Sequence, residues 1–144
     1  MVLDRESRLS VQSHLRLRRE FQKISRIAVK SGSMTEDFYC DEVLSGRTPV
    51  RIVRETDNVL AYHHTRPFWP VHIVVIPKRH IASLLTIDDD ALLLELLRVV
   101  REVATEVLAE HGACRVLTNL GKYQDSKHLH WHVSSGSTRK VEET

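Results

Sequence analysis

The six residues His128-Leu129-His130-Trp131-His132-Val133 alternate histidine with apolar side chains. Side chains on a β-strand point alternately to opposite faces, so this pattern predicts a strand with three imidazoles on one face and three apolar groups on the other. The apolar face would pack in a core. Successive histidines on one face lie about 6.5 to 7 Å apart, which is close enough for them to contact one substrate.

Three imidazoles in register predict a catalytic or ligand-binding site. A neutral imidazole can act as nucleophile, base or acid near physiological pH, and its protonated form offers two donors to phosphate oxygens. Zinc is an alternative ligand for such a strand. Three histidines at i, i+2 and i+4 span about 13 Å, so at most two can bind one ion. The third ligand would then come from elsewhere, such as His72 or His64, and a metallohydrolase stays open.

Length and composition indicate one soluble globular domain. The chain has 144 residues, of which 42% are hydrophobic and 28% charged, and a domain of this size needs no disulfides or metal to bury a core. Cys40 and Cys114 are far apart, and no apolar run resembles a signal or a membrane span. We therefore expect a reduced, cytoplasmic protein.

Basic residues are concentrated at the N-terminus. Residues 1–34 contain eight Lys or Arg against three Asp or Glu, whereas the rest contains thirteen against sixteen. Apolar residues recur at helical spacing from Leu17 to Ala28, which predicts a basic amphipathic extension over residues 1–34. It would contact its own domain, a partner subunit, or an acidic partner or nucleic acid. The main domain is predicted at 35–138 and a tail at 139–144.

The main domain is predicted to be α+β, with a five-stranded, mainly antiparallel sheet. A short helix is expected over residues 36–45, followed by a hairpin and a strand buried on both faces. The predicted strands, before the histidine strand, are Val50–Arg54, Val59–His63, His72–Ile76 and Cys114–Asn119.

The long helix is predicted to begin near Thr86 or Asp88 and to end at His111-Gly112. Its core-facing residues are expected to be Leu93, Leu96, Leu97, Val100, Val103 and Val107. Further leucines and valines, at 92, 94, 99 and 108, exceed what one face needs. We therefore expect part of the helix to meet a second subunit, as in a homodimer.

Several motifs together resemble the histidine triad (HIT) family, in its Hint-like nucleotide-binding branch. The segment His128–Val133 matches the His-φ-His-φ-His signature, where φ is apolar, and HIVVIPKRHI at 72–81 resembles the strand that begins with a fourth active-site histidine, His72. Asn119-Leu120-Gly121 resembles a turn lining the nucleotide pocket, and Gln124 matches a glutamine of the family. The likeness covers residues 37–136.

The resemblance implies attack at the α-phosphorus of a small nucleotide through a covalent nucleotidyl-histidine on His130. Expected substrates are adenosine or guanosine phosphoramidates and dinucleoside polyphosphates. His128 would orient the nucleophile, His132 would contact phosphate oxygens, and His72 would complete the cluster, with no cofactor. A nucleotide-binding regulatory protein with weak or lost catalysis is the alternative.

The chain departs from the family pattern in three places. His64 stands where the family has a ribose-binding acid, and Asp125 replaces a serine or threonine beside the phosphates; Tyr62 and His63 still suit a base or sugar edge. Some members bind structural zinc through Cys-x-x-Cys near the start of the domain. This chain has Asp37 in the first of those positions and Cys40 in the second, so we expect no structural zinc. His14, His80 and His111 are expected to carry no chemistry.

Overall fold

The computed structural model describes residues 37–138. The predicted basic extension over residues 1–34, its boundary with the domain and the predicted tail over 139–144 lie outside the described residues. A short π-helical turn spans Tyr39–Leu44, and it is followed by strands β1 (Ile52–Glu55), β2 (Val59–His63) and β3 (Val71–Pro77). Next come helix α1 (Asp90–His111) and strand β4 (Arg115–Thr118). A 3-10 turn at Gly121–Tyr123 precedes strand β5 (Trp131–Ser135). The predicted α+β class is confirmed.

The five strands form one sheet in the order β1-β2-β3-β5-β4, and every pairing is antiparallel. The predicted β1–β2 hairpin is confirmed. Strand β3 is central and is buried on both faces, as its continuous apolar run predicts. On β5, His132 lies opposite Val74, and Ser134 lies opposite His72. His72 and His132 are therefore diagonal neighbours on one face of the sheet.

The two faces of the sheet have separate cores. One core contains α1 residues such as Leu96 and Val103 packed on Ile73 and Val75. The other contains Tyr39, Tyr62, Val74 and Ile76. Because side chains alternate along a strand, His72 and His132 share the second face with Val74. The apolar residues that alternate with the triad histidines, Leu129, Trp131 and Val133, pack with the α1 core, as predicted.

Helix α1 begins slightly later than predicted, and two of the residues on its buried face differ from the predicted ones. Asp89 is its N-cap, with a side chain that accepts a hydrogen bond from the Leu92 amide, and Gly112 ends it at φ +74° as expected. Leu92 and Val99 are buried in place of Leu93 and Leu97; Leu97 is 42% exposed. The prediction of the buried face was therefore wrong at these positions. Within residues 37–138, no helix is long and apolar enough to span a bilayer.

Strand β5 starts at Trp131, so the prediction of a strand from His128 was wrong in its first three residues. The Leu129 amide donates to the Ile81 carbonyl at 2.6 Å, away from the sheet. The His130 carbonyl accepts from the Thr118 hydroxyl at 2.8 Å. Histidines 128 and 130 therefore lie on an irregular segment before β5, held by the loop after β3 and by a β4 side chain.

Candidate active site

A cavity of about 630 Å³ lies against the sheet face that carries Tyr39 and Tyr62. Its volume is in the usual range for small-molecule sites. Six of the predicted site residues line it: Tyr62, His64, Asn119, Asp125, His130 and His132.

The other predicted site residues lie elsewhere. His72 is 2% exposed and contacts His132. His63 pairs with Ile73, on the strand face that packs against α1. The Gln124 side chain donates to the Ala82 carbonyl at 2.6 Å and is buried. His128 is fully buried, and its ring contacts Asp37 and Cys40. These four do not line the cavity.

Hydrogen bonds define the protonation of the His72–His132 pair. The Phe68 amide donates to His72 Nδ1 at 3.1 Å, so the proton of the neutral ring is on Nε2. His72 Nε2 lies 2.8 Å from His132 Nδ1 and therefore donates to it. The proton of His132 must then be on its own Nε2. The Phe68 amide therefore fixes the tautomer of His72, and His72 in turn fixes that of His132. As a result, His132 Nε2–H is a hydrogen-bond donor in the cavity wall.

His130 has the opposite tautomer. Its Nδ1 lies 2.7 Å from the His128 carbonyl oxygen, which can only accept, so Nδ1 carries the proton. Its Nε2 then holds a free lone pair. The His130 ring lies 4.9 Å from the His132 ring, nearly perpendicular to it, and 4.9 Å from the Tyr39 ring. A ring nitrogen with a free lone pair and a hydrogen-bond donor therefore lie on neighbouring rings.

Burial keeps this histidine cluster neutral. Desolvation, with a smaller contribution from neighbouring imidazoles, lowers the pKa of His72 to about 3 and that of His132 to about 4. The pKa of His130 is also lowered, chiefly by desolvation. At neutral pH the rings are uncharged, as a lone-pair nucleophile requires.

His64 belongs to the histidine cluster as well as to the cavity wall. Its ring stacks on His72 with centroids 4.3 Å apart. The Arg66 amide donates to its Nδ1 at 2.9 Å, so Nε2 is the protonated nitrogen. Burial lowers its pKa. His64 therefore presents an N–H donor where an acid would present two acceptor oxygens.

Aromatic residues that sequence reasoning missed complete the cavity wall. Tyr39, Phe68 and Trp69 line it together with the predicted Tyr62. Such rings suit the flat face of a base. The pairs Phe38-Tyr39 and Phe68-Trp69 are visible in the sequence, but no periodic pattern relates them to the histidines.

Within the part of the chain that the structure describes, two groups of side chains have donor atoms close enough to hold a metal ion. His64, His72 and His132 form one. Because His72 uses both ring nitrogens in hydrogen bonds, a metal there would have to break the bond to His132. The second group joins His128 to three residues that had no predicted catalytic role: Asp37, Cys40 and His80.

Comparisons with known proteins agree with this geometry. The family model described as HIT domain matches residues 45–139. A HIT-like protein of Synechococcus elongatus is 38% identical over 107 residues, covering 72% of this chain and 93% of that protein.

Solved structures show the same fold. A HIT family hydrolase from Clostridium thermocellum has a TM-score of 0.62 and 27% identity, over 78% of this chain and 98% of that one. A histidine triad protein from Clostridium difficile has a TM-score of 0.61 and 31% identity, over 77% and 99%. Because the family model matches most of the chain, and because His130 and His132 of the triad line one cavity, the chain belongs to the HIT domain family.

Proposed function

We propose that this protein is a nucleotide hydrolase or nucleotidyl transferase that acts at an α-phosphorus through a covalent intermediate on His130. The observation that carries the proposal is the pair of opposite tautomers. His130 offers a lone pair on Nε2, and His132 offers an N–H donor, at the same cavity. Related HIT structures include proteins described as hydrolases.

The proposed reaction has two displacements at phosphorus. In the first, a bond forms between His130 Nε2 and phosphorus while the bond to the leaving group breaks; a leaving amine takes its proton from solvent. In the second, water attacks phosphorus, gives up a proton, and releases the nucleotide and neutral His130. The His132 N–H stabilises the phosphate oxygens, where negative charge is held in each transition state.

The substrate class that we propose is a small nucleotide such as an adenosine or guanosine phosphoramidate, with a dinucleoside polyphosphate as the other candidate. The aromatic wall around Tyr39 and Trp69 suits a base. Turnover of adenosine phosphoramidate by wild type and by His130→Ala tests the proposal, with AMP binding measured by calorimetry. We expect turnover to be lost and binding kept. Equal turnover by both proteins would overturn the proposal.

One observation favours the alternative of a nucleotide-binding protein with little catalysis. The Asp125 carboxylate lines the cavity and acts electrostatically on His130. A carboxylate there repels substrate phosphate. Under this alternative, wild type binds AMP but turns over phosphoramidate no faster than His130→Ala, and Asp125→Ser raises turnover.

We also propose that the protein is a homodimer. The edge strand β4 exposes Val116 (45%), and α1 exposes Leu94 (60%) and Leu108 (52%). A second copy would cover these apolar side chains and pair with the free edge of β4. Sedimentation equilibrium should give twice the chain mass, and Leu94→Glu with Leu108→Glu should shift it towards the monomer.

A further inference from the structure

His64 lies directly after β2 and places an imidazole in the cavity wall that the proposed displacements leave without a task. Its Nδ1 accepts a hydrogen bond from the Arg66 amide, so the proton of the neutral ring is on Nε2. Within residues 37–138, no hydrogen bond occupies that Nε2. The ring therefore offers one N–H donor to a ligand.

The orientation of the His64 ring is fixed by its surroundings. The ring stacks on that of His72, with an angle of 15° between the two planes. The backbone amide of His64 donates to the His72 carbonyl at 2.8 Å, and the Arg66 amide holds the ring from its Nδ1 edge. A donor that is already oriented needs little reorganisation when charge develops beside it.

The His64 ring also lies close to the two reactive histidines. Its centroid is 6.2 Å from that of His132, and the planes of the two rings differ by 27°. One ring nitrogen from each of His64, His72 and His132 lies within 4.8 Å of the other two. His130 is close enough to act electrostatically on His64.

This spacing suits two donors that share one phosphoryl group. An N–H donor lies about 2.9 Å from its acceptor, so two donors at this separation can each contact a different oxygen of the same group. His132 already presents an Nε2–H in the cavity wall. His64 presents the second one.

We propose that His64 is a further catalytic residue, whose Nε2–H binds one non-bridging oxygen of the reacting phosphoryl group while His132 binds the other. The assignment rests on the proposed chemistry at His130. Negative charge is held on these oxygens in both displacements, and donors that are aimed at them in advance stabilise it. Both rings are donors in their neutral form, so neither has to gain or lose a proton before the reaction.

Two variants separate the donor from the stacked ring. His64→Gln keeps an N–H group near the position of Nε2 but loses the ring, whereas His64→Phe keeps a ring that can stack on His72 but loses the donor. For adenosine phosphoramidate we expect kcat to fall about a hundredfold in His64→Phe and to stay within about tenfold of wild type in His64→Gln. His111→Ala is the control, and circular dichroism checks the fold. If His64→Phe does not fold, His64→Leu takes its place.

Phosphorothioate substrates report which oxygen is contacted. Sulfur is a weak acceptor, so replacing one non-bridging oxygen weakens the hydrogen bond at that position alone. The Rp and Sp forms of adenosine thiophosphoramidate place the sulfur on opposite sides. We expect the ratio of their rates to differ about tenfold between wild type and His64→Phe. A purely structural role would slow both forms equally and leave the ratio unchanged, which would overturn the proposal.

Calorimetry with AMP and with adenosine makes a further test that does not depend on turnover. His64→Phe should bind AMP about tenfold more weakly than wild type and bind adenosine equally well. Equal weakening of both ligands would place His64 against the nucleoside and overturn the proposal. An unchanged kcat in His64→Phe, or an equal loss in His64→Gln, would also overturn it. If wild type forms no adduct on His130, the proposed function fails, and the AMP comparison still reports on His64.

Discussion

The two sides of the segment from His128 to His132 place the same residue type in contrasting environments. On the cavity side, His130 and His132 are neutral, buried and paired with carbonyl or imidazole partners. On the other side, His128 faces a carboxylate and a thiol. Neighbouring histidines of one motif therefore differ in what each ring nitrogen contacts, which allows one ring to serve the proposed phosphorus chemistry while another positions it.

The largest change in activity is expected from a mutation on the cavity side. We expect His130→Ala to lower kcat at least about a thousandfold, because it removes the nucleophile, while its thermal midpoint stays close to that of wild type. Steady-state kinetics and thermal unfolding measure the two effects. His111→Ala, on the exposed end of α1, is the matched control and should keep full activity. A His130→Ala protein with near-normal kcat would contradict the proposal that the cavity side carries the catalytic histidine.

His72→Asn should show that the cavity side depends on a relay of hydrogen bonds. Without the His72 Nε2–H donor, His132 is free to change its tautomer, and we expect kcat to fall about a hundredfold with KM little changed. The pH profile of kcat should move as well, because the environment of His132 changes. If KM rose while kcat and the pH profile stayed constant, His72 would act only in substrate binding.

Asp37→Ala should affect stability more than catalysis. The Asp37 carboxylate accepts a hydrogen bond from the Cys40 amide and contacts the His80 and His128 rings. Hydrogen bonds to a charged group contribute about 1.5 to 3 kcal/mol, so Asp37→Ala should lower Tm by about 5 to 10 °C in a chain of this size. Differential scanning calorimetry of wild type and Asp37→Ala measures this. An unchanged Tm would contradict a stabilising role for Asp37.

The smallest effect expected is a gradual loss of stability in acid. The pKa values of His72 and His132 are depressed to about 3 and 4 in the folded state, against about 6.5 when unfolded. The unfolded chain therefore binds more protons between these values, and the free energy of unfolding should fall as pH drops from about 6.5 towards 4. Urea denaturation from pH 7 to 4 measures the slope. His72→Asn should flatten it, and an unchanged slope would place the acid sensitivity elsewhere.

Much of the fold could be predicted because the strands carry clear local patterns. The continuous apolar run of β3 and the turn at Asp57-Asn58 predicted a central strand and a hairpin, and both are present. Errors arose where tertiary contacts decide. Thr86, Asp88 and Asp89 all resemble helix caps, and only Asp89 caps the Leu92 amide. The start of β5 could not be read from alternation, because Leu129 bonds to Ile81 and not to a neighbouring strand.

The sequence predicted which histidines belong to the candidate site, but it did not predict the hydrogen-bond partners of their rings. The triad and His72 could be identified from the sequence. The tautomers could not, since they depend on the amides of Arg66 and Phe68 in an irregular loop. The contact between His80 and Asp37 joins residues 43 positions apart. No local pattern reports such a contact, so it emerges only from the structure.

Identifying the atom that carries the nucleotide during turnover would test covalent catalysis by His130 most directly. Wild-type protein is mixed with adenosine phosphoramidate, quenched under alkaline conditions that preserve phosphoramidates, digested and sequenced by mass spectrometry. We predict an AMP adduct on His130 and none on His128 or His132. A wild-type protein that turns over substrate with no adduct on His130, or with the adduct on another histidine, would contradict the account.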